Sequence, residues 1–150
     1  MLKEILSELY DRDFGRLRDE INQFVEEADL WKTSEGVTNS GGNLCQHLSG
    51  NLQHFFGAVL GGSGYVRDRD SEFAVKGVTR ADLLAGIDAA QASVRATLTS
   101  LTDEDLAKTY PIEVFDRPMT TGFFLTHLST HFNYHLGQIN YQRRLLKGRS

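Results

Sequence analysis

The stretch 126-THLSTHFNYHLGQINYQRR-144 decides how the chain folds. His127, His131 and His135 stand there at intervals of four, and Gln138 and Gln142 follow along the same drift. An α-helix advances about 100° per residue, so a step of four turns a side chain by about 40° and raises it about 6 Å. The three imidazoles therefore share one stripe of one helix, among Phe, Leu and Ile. The spacing predicts a last helix from Thr121 to about Lys147. Its basic end, with Arg143, Arg144, Lys147 and Arg149, suits the negative pole of a helix dipole.

Outward from that helix, three more long helices are predicted. Apolar residues from Leu2 to Ala28 recur at gaps of three and four, which marks an amphipathic helix. The connector 32-KTSEGVTNSGG-42 offers Asn39 or Ser40 as a cap for a second helix from about Gly42 to Leu60. There Leu44, Leu48, Leu52, Phe55, Phe56 and Val59 face inward. The glycines of 61-GGSG-64 stop that helix, and 65-YVRDRDSEF-73 reads as a loop or frayed turn whose charge run, Arg67 to Asp70, is either solvated or a cationic contact for carboxylates. Thr79 caps a third helix from about Arg80 to Thr99, with Leu83, Leu84, Ile87, Val94 and Leu98 as its inner stripe. A capped single turn, 102-TDEDL-106, precedes 109-TYPIEVFDRPMTT-121, which alternates and carries a turn signal at Asp116-Arg117-Pro118. The expectation is an all-α fold, a single domain over 1–150. Its architecture is an antiparallel four-helix bundle with a short β-hairpin before the last helix.

Composition bounds the function classes. At 150 residues, with 40% hydrophobic and 24% charged side chains, the chain has the make-up of one globular domain with a real core. A net charge of −4 disfavours a nucleic-acid partner, since phosphate counterions are displaced by a basic surface. A single cysteine, Cys45, makes no intrachain disulfide and is read as a small buried hydrophobe. The opening 1-MLKEILSELYDRDFGRLRDEI-21 breaks every apolar run with charges, so neither a secretory h-region nor a membrane partner is expected. The expected localisation is cytoplasmic.

Imidazole also appears on the second helix. Asn43, His47 and Asn51 are four apart, and His54 returns to nearly the same azimuth seven residues after His47. Two imidazoles at i and i+4 grip one ion without bending the backbone, and a third from a facing helix completes a set with positions left open for water or substrate. Histidine nitrogens suit zinc, nickel, copper or iron. The plainer reading is a row of core histidines, each with its own hydrogen-bond partner. His54 is roughly 10 Å along the axis from His47, too far for both to reach one ion.

The segments 47-HLSGNLQHF-55 and 131-HFNYHLGQI-139 resemble the DinB-like superfamily, which includes YfiT-type metal-dependent hydrolases and bacillithiol- and mycothiol-dependent enzymes. The resemblance runs from the first helix through the tail. It implies a four-helix bundle, often dimeric, with a divalent ion held by three histidines, one from helix two and two from an HxxxH on helix four. By motif these are His47, His131 and His135. It also implies a low-molecular-weight thiol as cosubstrate for transfer or isomerisation, and the run from Arg67 to Asp70 is the candidate cationic contact for the carboxylates of such a thiol cofactor. Relatives often read His-His-Arg-Gly-Gln where this chain has Tyr134-His135-Leu136-Gly137-Gln138, so an Arg and a His close to the site are missing.

Around these ligands, Asn43 and Asn51 flank His47 by one turn each and His127 precedes the HxxxH by one turn. Gln138 follows His135 by three. These four are the candidates to support the ligands or touch substrate, with capping as the plain alternative for Asn43. No carboxylate lies within a turn of the ligands on either helix, so no protein general base is identified, which favours a thiolate brought in by a cosubstrate. Two readings result. One is a divalent-metal protein, with zinc or nickel foremost, acting as a thiol-using transferase or hydrolase on a small molecule and forming a homodimer. The other is a non-catalytic stress-response or ligand-binding bundle.

Overall fold

The computed structural model of the chain describes residues 1–147; Arg149, counted above in the basic end, lies outside the described residues. Helix α1 spans Leu2–Gln23, and its residues Leu6, Tyr10, Phe14, Leu17 and Ile21 are all buried. It stops at Gln23 rather than at Ala28. Phe24 turns extended and buries its ring, and its carbonyl accepts a hydrogen bond from the Arg80 guanidinium. The chain then rewinds as a 3-10 turn, Glu27–Trp31, that buries Leu30. Leu2, Ile5 and Val25, which belong to the apolar repeat over 2–28, are exposed.

Helix α2, Gly41–Leu52, begins at Ser40, whose Oγ accepts from the Asn43 backbone N–H at 3.2 Å. A Cβ at Gly42 would lie 2.8 Å from the Trp31 ring and 2.9 Å from the Leu30 carbonyl oxygen. Glycine there lets the 3-10 turn lie directly on the first turn of α2. Past Leu52 the helix continues in the wider π form over Gln53–Leu60, where the i→i−4 ladder is lost. Two carbonyls of that segment are met by side chains: Tyr110 Oη donates to the Phe55 oxygen at 2.7 Å and Thr97 Oγ1 to the Phe56 oxygen at 3.0 Å.

The charged segment after the glycines is more ordered than expected. Asp68 caps a six-residue helix, α3 (Arg69–Ala74), and its carboxylate accepts from the Ser71 N–H. Helix α4, Arg80–Ser100, starts at the expected Thr79 cap. Its inner residues Leu83, Ile87, Val94 and Leu98 are buried, with Leu84 packed at the margin of the core. Helix α5, Asp103–Ala107, opens with a capping box between Thr102 and Asp105, and α6 runs over Thr121–Lys147.

The expected β-hairpin over 109–121 does not appear as a pair of strands. One antiparallel bridge forms, between Thr109 and Thr120, flanked by Tyr110 N–H to Met119 O and Thr121 N–H to Lys108 O, both 2.8 Å. Beyond it Pro111 and Pro118 stand on the two arms with fixed φ and no N–H, and Asp116 adopts a φ of 55°, so the ladder goes no further.

Helices α1 and α2 each pack against both α4 and α6. The space they share is filled by Tyr10, Phe14, Phe56 and Phe132, with ring centroids 5.0–6.5 Å apart. The Tyr10 hydroxyl, deep in this cluster, donates to the Leu125 carbonyl at 2.7 Å. Among the described residues no helix is long and apolar enough to cross a membrane.

Candidate metal centre

The period of α6 places His131 and His135 on one face, one turn apart, and α2 presents His47 to them. Ring centroids are 4.5 Å apart for His131 and His135, 5.1 Å for His47 and His131, and 5.2 Å for His47 and His135. One nitrogen from each ring lies within 4.8 Å of the other two. The closest approach is between His47 Nε2 and His131 Nε2, at 3.1 Å. Ligand nitrogens around a tetrahedral ion at about 2.1 Å stand roughly 3.4 Å apart. The spacing of the trio, from 3.1 Å up to 4.8 Å, brackets that value.

The electrostatics favour neutral rings. Burial, then the nearby imidazoles of His135 and His47, push the His131 pKa down to about 3. Burial also lowers His135, against an opposing hydrogen bond between its Nδ1 and Gln138 Oε1 at 2.7 Å. The Gln138 amide oxygen only accepts, so Nδ1 of His135 carries the proton and donates it in that bond, and Nε2 of the neutral ring keeps its lone pair. His131 Nδ1 is buried and has no partner. The donor set is three imidazoles crowded together, with burial holding those of His131 and His135 neutral, and it fits a divalent cation.

The other candidates fall in different places. Asn43 does not touch His47: its Oδ1 accepts from Ser40 Oγ and Lys76 Nζ, and its Nδ2 donates to the Glu72 and Val75 carbonyls. Asn51 is buried with Oδ1 unpartnered and lines a cavity of about 270 Å³ together with His47, His131, Phe55, Phe115 and His127. His127 stays outside the nitrogen cluster and packs edge-to-face on Phe115. His54 likewise lies outside it, against Phe55. Cys45 is fully buried, and burial pushes its thiol pKa up to about 12.

Two residues escaped the sequence reading. Glu72 brings a carboxylate to the site from α3: its Oε1 lies 3.1 Å from His47 Nδ1. Arg67, expected either in solvent or on a cofactor's carboxylates, donates from Nε and Nη2 to both Glu72 oxygens at 2.9 Å and is only 12% exposed. Burial raises the Glu72 pKa, but the bonds from His47 and Arg67 outweigh it and hold the carboxyl below its usual range. A carboxylate thus does stand beside the ligands, contrary to the expectation from helix neighbours alone. The local signal was Asp68 as a cap followed by Phe73, whose ring packs 4.7 Å from that of His47.

A family model described as "Protein of unknown function (DUF1572)" matches residues 4–150. The chain belongs to DUF1572, a DinB-like family. A crystal structure of a DinB-like protein from Bacillus cereus is similar to this DUF1572 chain with a TM-score of 0.75 and 18% sequence identity, covering 96% of this chain and 92% of that one. At that identity the likeness speaks for the all-α DinB-like fold. A search of curated proteins finds no match to this DUF1572 member.

Proposed function

We propose that this DinB-like chain is a metalloprotein that holds one divalent ion, zinc or nickel, through His47, His131 and His135. The observation that carries the reading is the convergence of three imidazole nitrogens, from α2 and α6, within 4.8 Å. A divalent ion there supplies Lewis acidity, lowering the pKa of a water or thiol in its open positions. The cavity beside His47 and His131 supports a small-molecule substrate, oriented by aromatic walls at Phe55, Phe115 and Phe124. Glu72 is engaged on both oxygens by His47 and Arg67 and is no free general base. The nucleophile would be a thiolate from a low-molecular-weight cosubstrate in a transferase, and a water in a hydrolase. The same reading takes the chain as a single domain, an antiparallel four-helix bundle working in the cytoplasm as a homodimer.

A specific contact favours the second reading, a non-catalytic stress-response or ligand-binding bundle. With its proton on Nε2, His131 would donate to His47 Nε2 at 3.1 Å, an ordinary hydrogen-bond length. Elemental analysis of protein stripped with chelator, reloaded and desalted separates the two. The metalloprotein reading expects one equivalent of metal in the wild type and its loss in His131→Ala. Metal-free protein in both cases, after incubation with excess zinc or nickel, leaves the non-catalytic bundle standing alone.

A further inference from the structure

We propose that Glu72, clamped by Arg67, is a positioning residue: it fixes the tautomer and ring orientation of His47 so that the Nε2 lone pair faces His131 and His135. The inference rests on the metal-centre reading, yet its first consequence concerns the metal-free protein.

An ionised carboxylate only accepts hydrogen bonds. With Glu72 Oε1 3.1 Å from His47 Nδ1, the Nδ1 atom carries the proton, and Nε2, 3.1 Å from His131 Nε2, carries the lone pair. Arg67 Nη2 lies 3.4 Å from the same Nδ1 and, as a donor, would serve the opposite tautomer. The carboxylate is the nearer group, and a lone pair turned against it would be repelled, so the carboxylate decides. The bidentate Arg67 fork keeps Glu72 charged and sets its plane.

Several independent features deliver this one carboxylate. The backbone carbonyls of Glu72 and Val75 are held by the side-chain amides of Asn43 and Gln46, at 2.9 to 3.3 Å. A Cβ at position 50 would stand 1.8 Å from Glu72 Oε2 and 2.6 Å from its Cδ, so the side chain crosses α2 through a gap that Gly50 leaves. Glu72 is 7% exposed, and burying an ion pair is often no more stabilising than burying apolar residues of the same volume. Orientation of His47 gives the buried charge a purpose. Carboxylates that accept the second N–H of a ligating histidine act in this way, and their removal typically weakens metal binding by about 10- to 100-fold.

The test uses full-length, chelator-stripped protein with ¹⁵N-labelled histidine, whose long-range ¹H–¹⁵N correlations report which ring nitrogen of His47 carries the proton. Wild type is expected to show His47 protonated on Nδ1 alone. In Glu72→Ala, and in the paired variant Arg67→Met with Glu72→Met, that tautomer is expected to be lost. The paired variant removes both charges together, so no lone cation is left buried should the single variant fold poorly. Zinc affinity, read by competition with a chromophoric chelator, is expected to fall about 10- to 100-fold in both, with Glu72→Gln in between. Wild-type His47 protonated on Nε2, or an unchanged tautomer in the folded paired variant, overturns the positioning role. Absence of zinc binding in the wild type with the expected tautomer pattern would instead overturn the metal-centre reading and leave the orientation of His47 by Glu72 intact.

Discussion

At His131, burial and the rings of His135 and His47 put off protonation in the folded chain to about pH 3. An unfolded histidine takes its proton near pH 6.5. Between those values the unfolded state binds the extra proton. The contribution is therefore complete above about pH 6.5 and is lost progressively as pH falls toward 3. His135, also lowered by burial, acts in the same sense. Glu72, held below its usual range, adds a loss at still lower pH. The expected outcome for metal-free protein is a urea midpoint that is flat between about pH 7 and 8 and declines steadily below about 6.5. Urea titrations at closely spaced pH values check this, and in His131→Gln the decline should be shallower. A midpoint rising as the solution is acidified from neutrality would contradict the buried neutral state of these rings.

On the scale of elements, the π segment Gln53–Leu60 depends on residues far away in sequence. Tyr110 lies in the bridge region and Thr97 on α4, yet both donate to carbonyls of this segment. Tyr110→Phe removes one donor to a carbonyl that keeps its place in the π ladder, so a loss of about 0.5–1.5 kcal/mol is expected in chemical denaturation. Helix α3 illustrates why part of the site was illegible in the sequence. His131 and His135 show themselves because i, i+4 spacing is a local fact, and His47 follows from the family resemblance. Glu72 reaches His47 across 25 positions, and a string such as 67-RDRDSE-72 looks solvated until its partners are known. Charges leave water only when paired, and that pairing is a tertiary event. The hairpin expectation failed for a related reason: alternation across 109–121 was visible, but the prolines on both arms limited the pairing to one bridge.

For the whole molecule, the four long helices were legible because their apolar stripes repeat with helical period and end at caps such as Ser40 and Thr79. The boundary of α1 was not, since Phe24 leaves the helix to pack at the start of α2, a contact between separate elements. On the outer face of α6, Tyr134, Tyr141 and Leu145 are 64%, 66% and 54% exposed. Their spacing of seven and four residues aligns them in one apolar strip. The proposed homodimer can be tested at this strip. Sedimentation equilibrium should return twice the mass of 16.8 kDa, and the double change Tyr141→Glu, Leu145→Glu should return the single mass with helical content retained. A monomeric wild type would remove the homodimer.

The seam between α2 and α3 has a kinetic corollary. Asn43, Gln46 and His47 occupy one face of α2, and all three bind α3 through Glu72 or Val75. The left-handed glycines Gly62, Gly64 and Gly77 bracket that short helix. These bonds are separate from the packing of the long helices on one another, which predicts a sub-global opening of α3 below the cost of complete unfolding. On the metal-centre reading proposed above, such an opening would free the ring of His47 and give a bound ion a route out short of complete unfolding. Amide hydrogens of residues 69–75 should exchange faster than those of α1 and α6, and zinc transfer to a chelator should keep pace with them, slowing wherever a substitution pins α3 down.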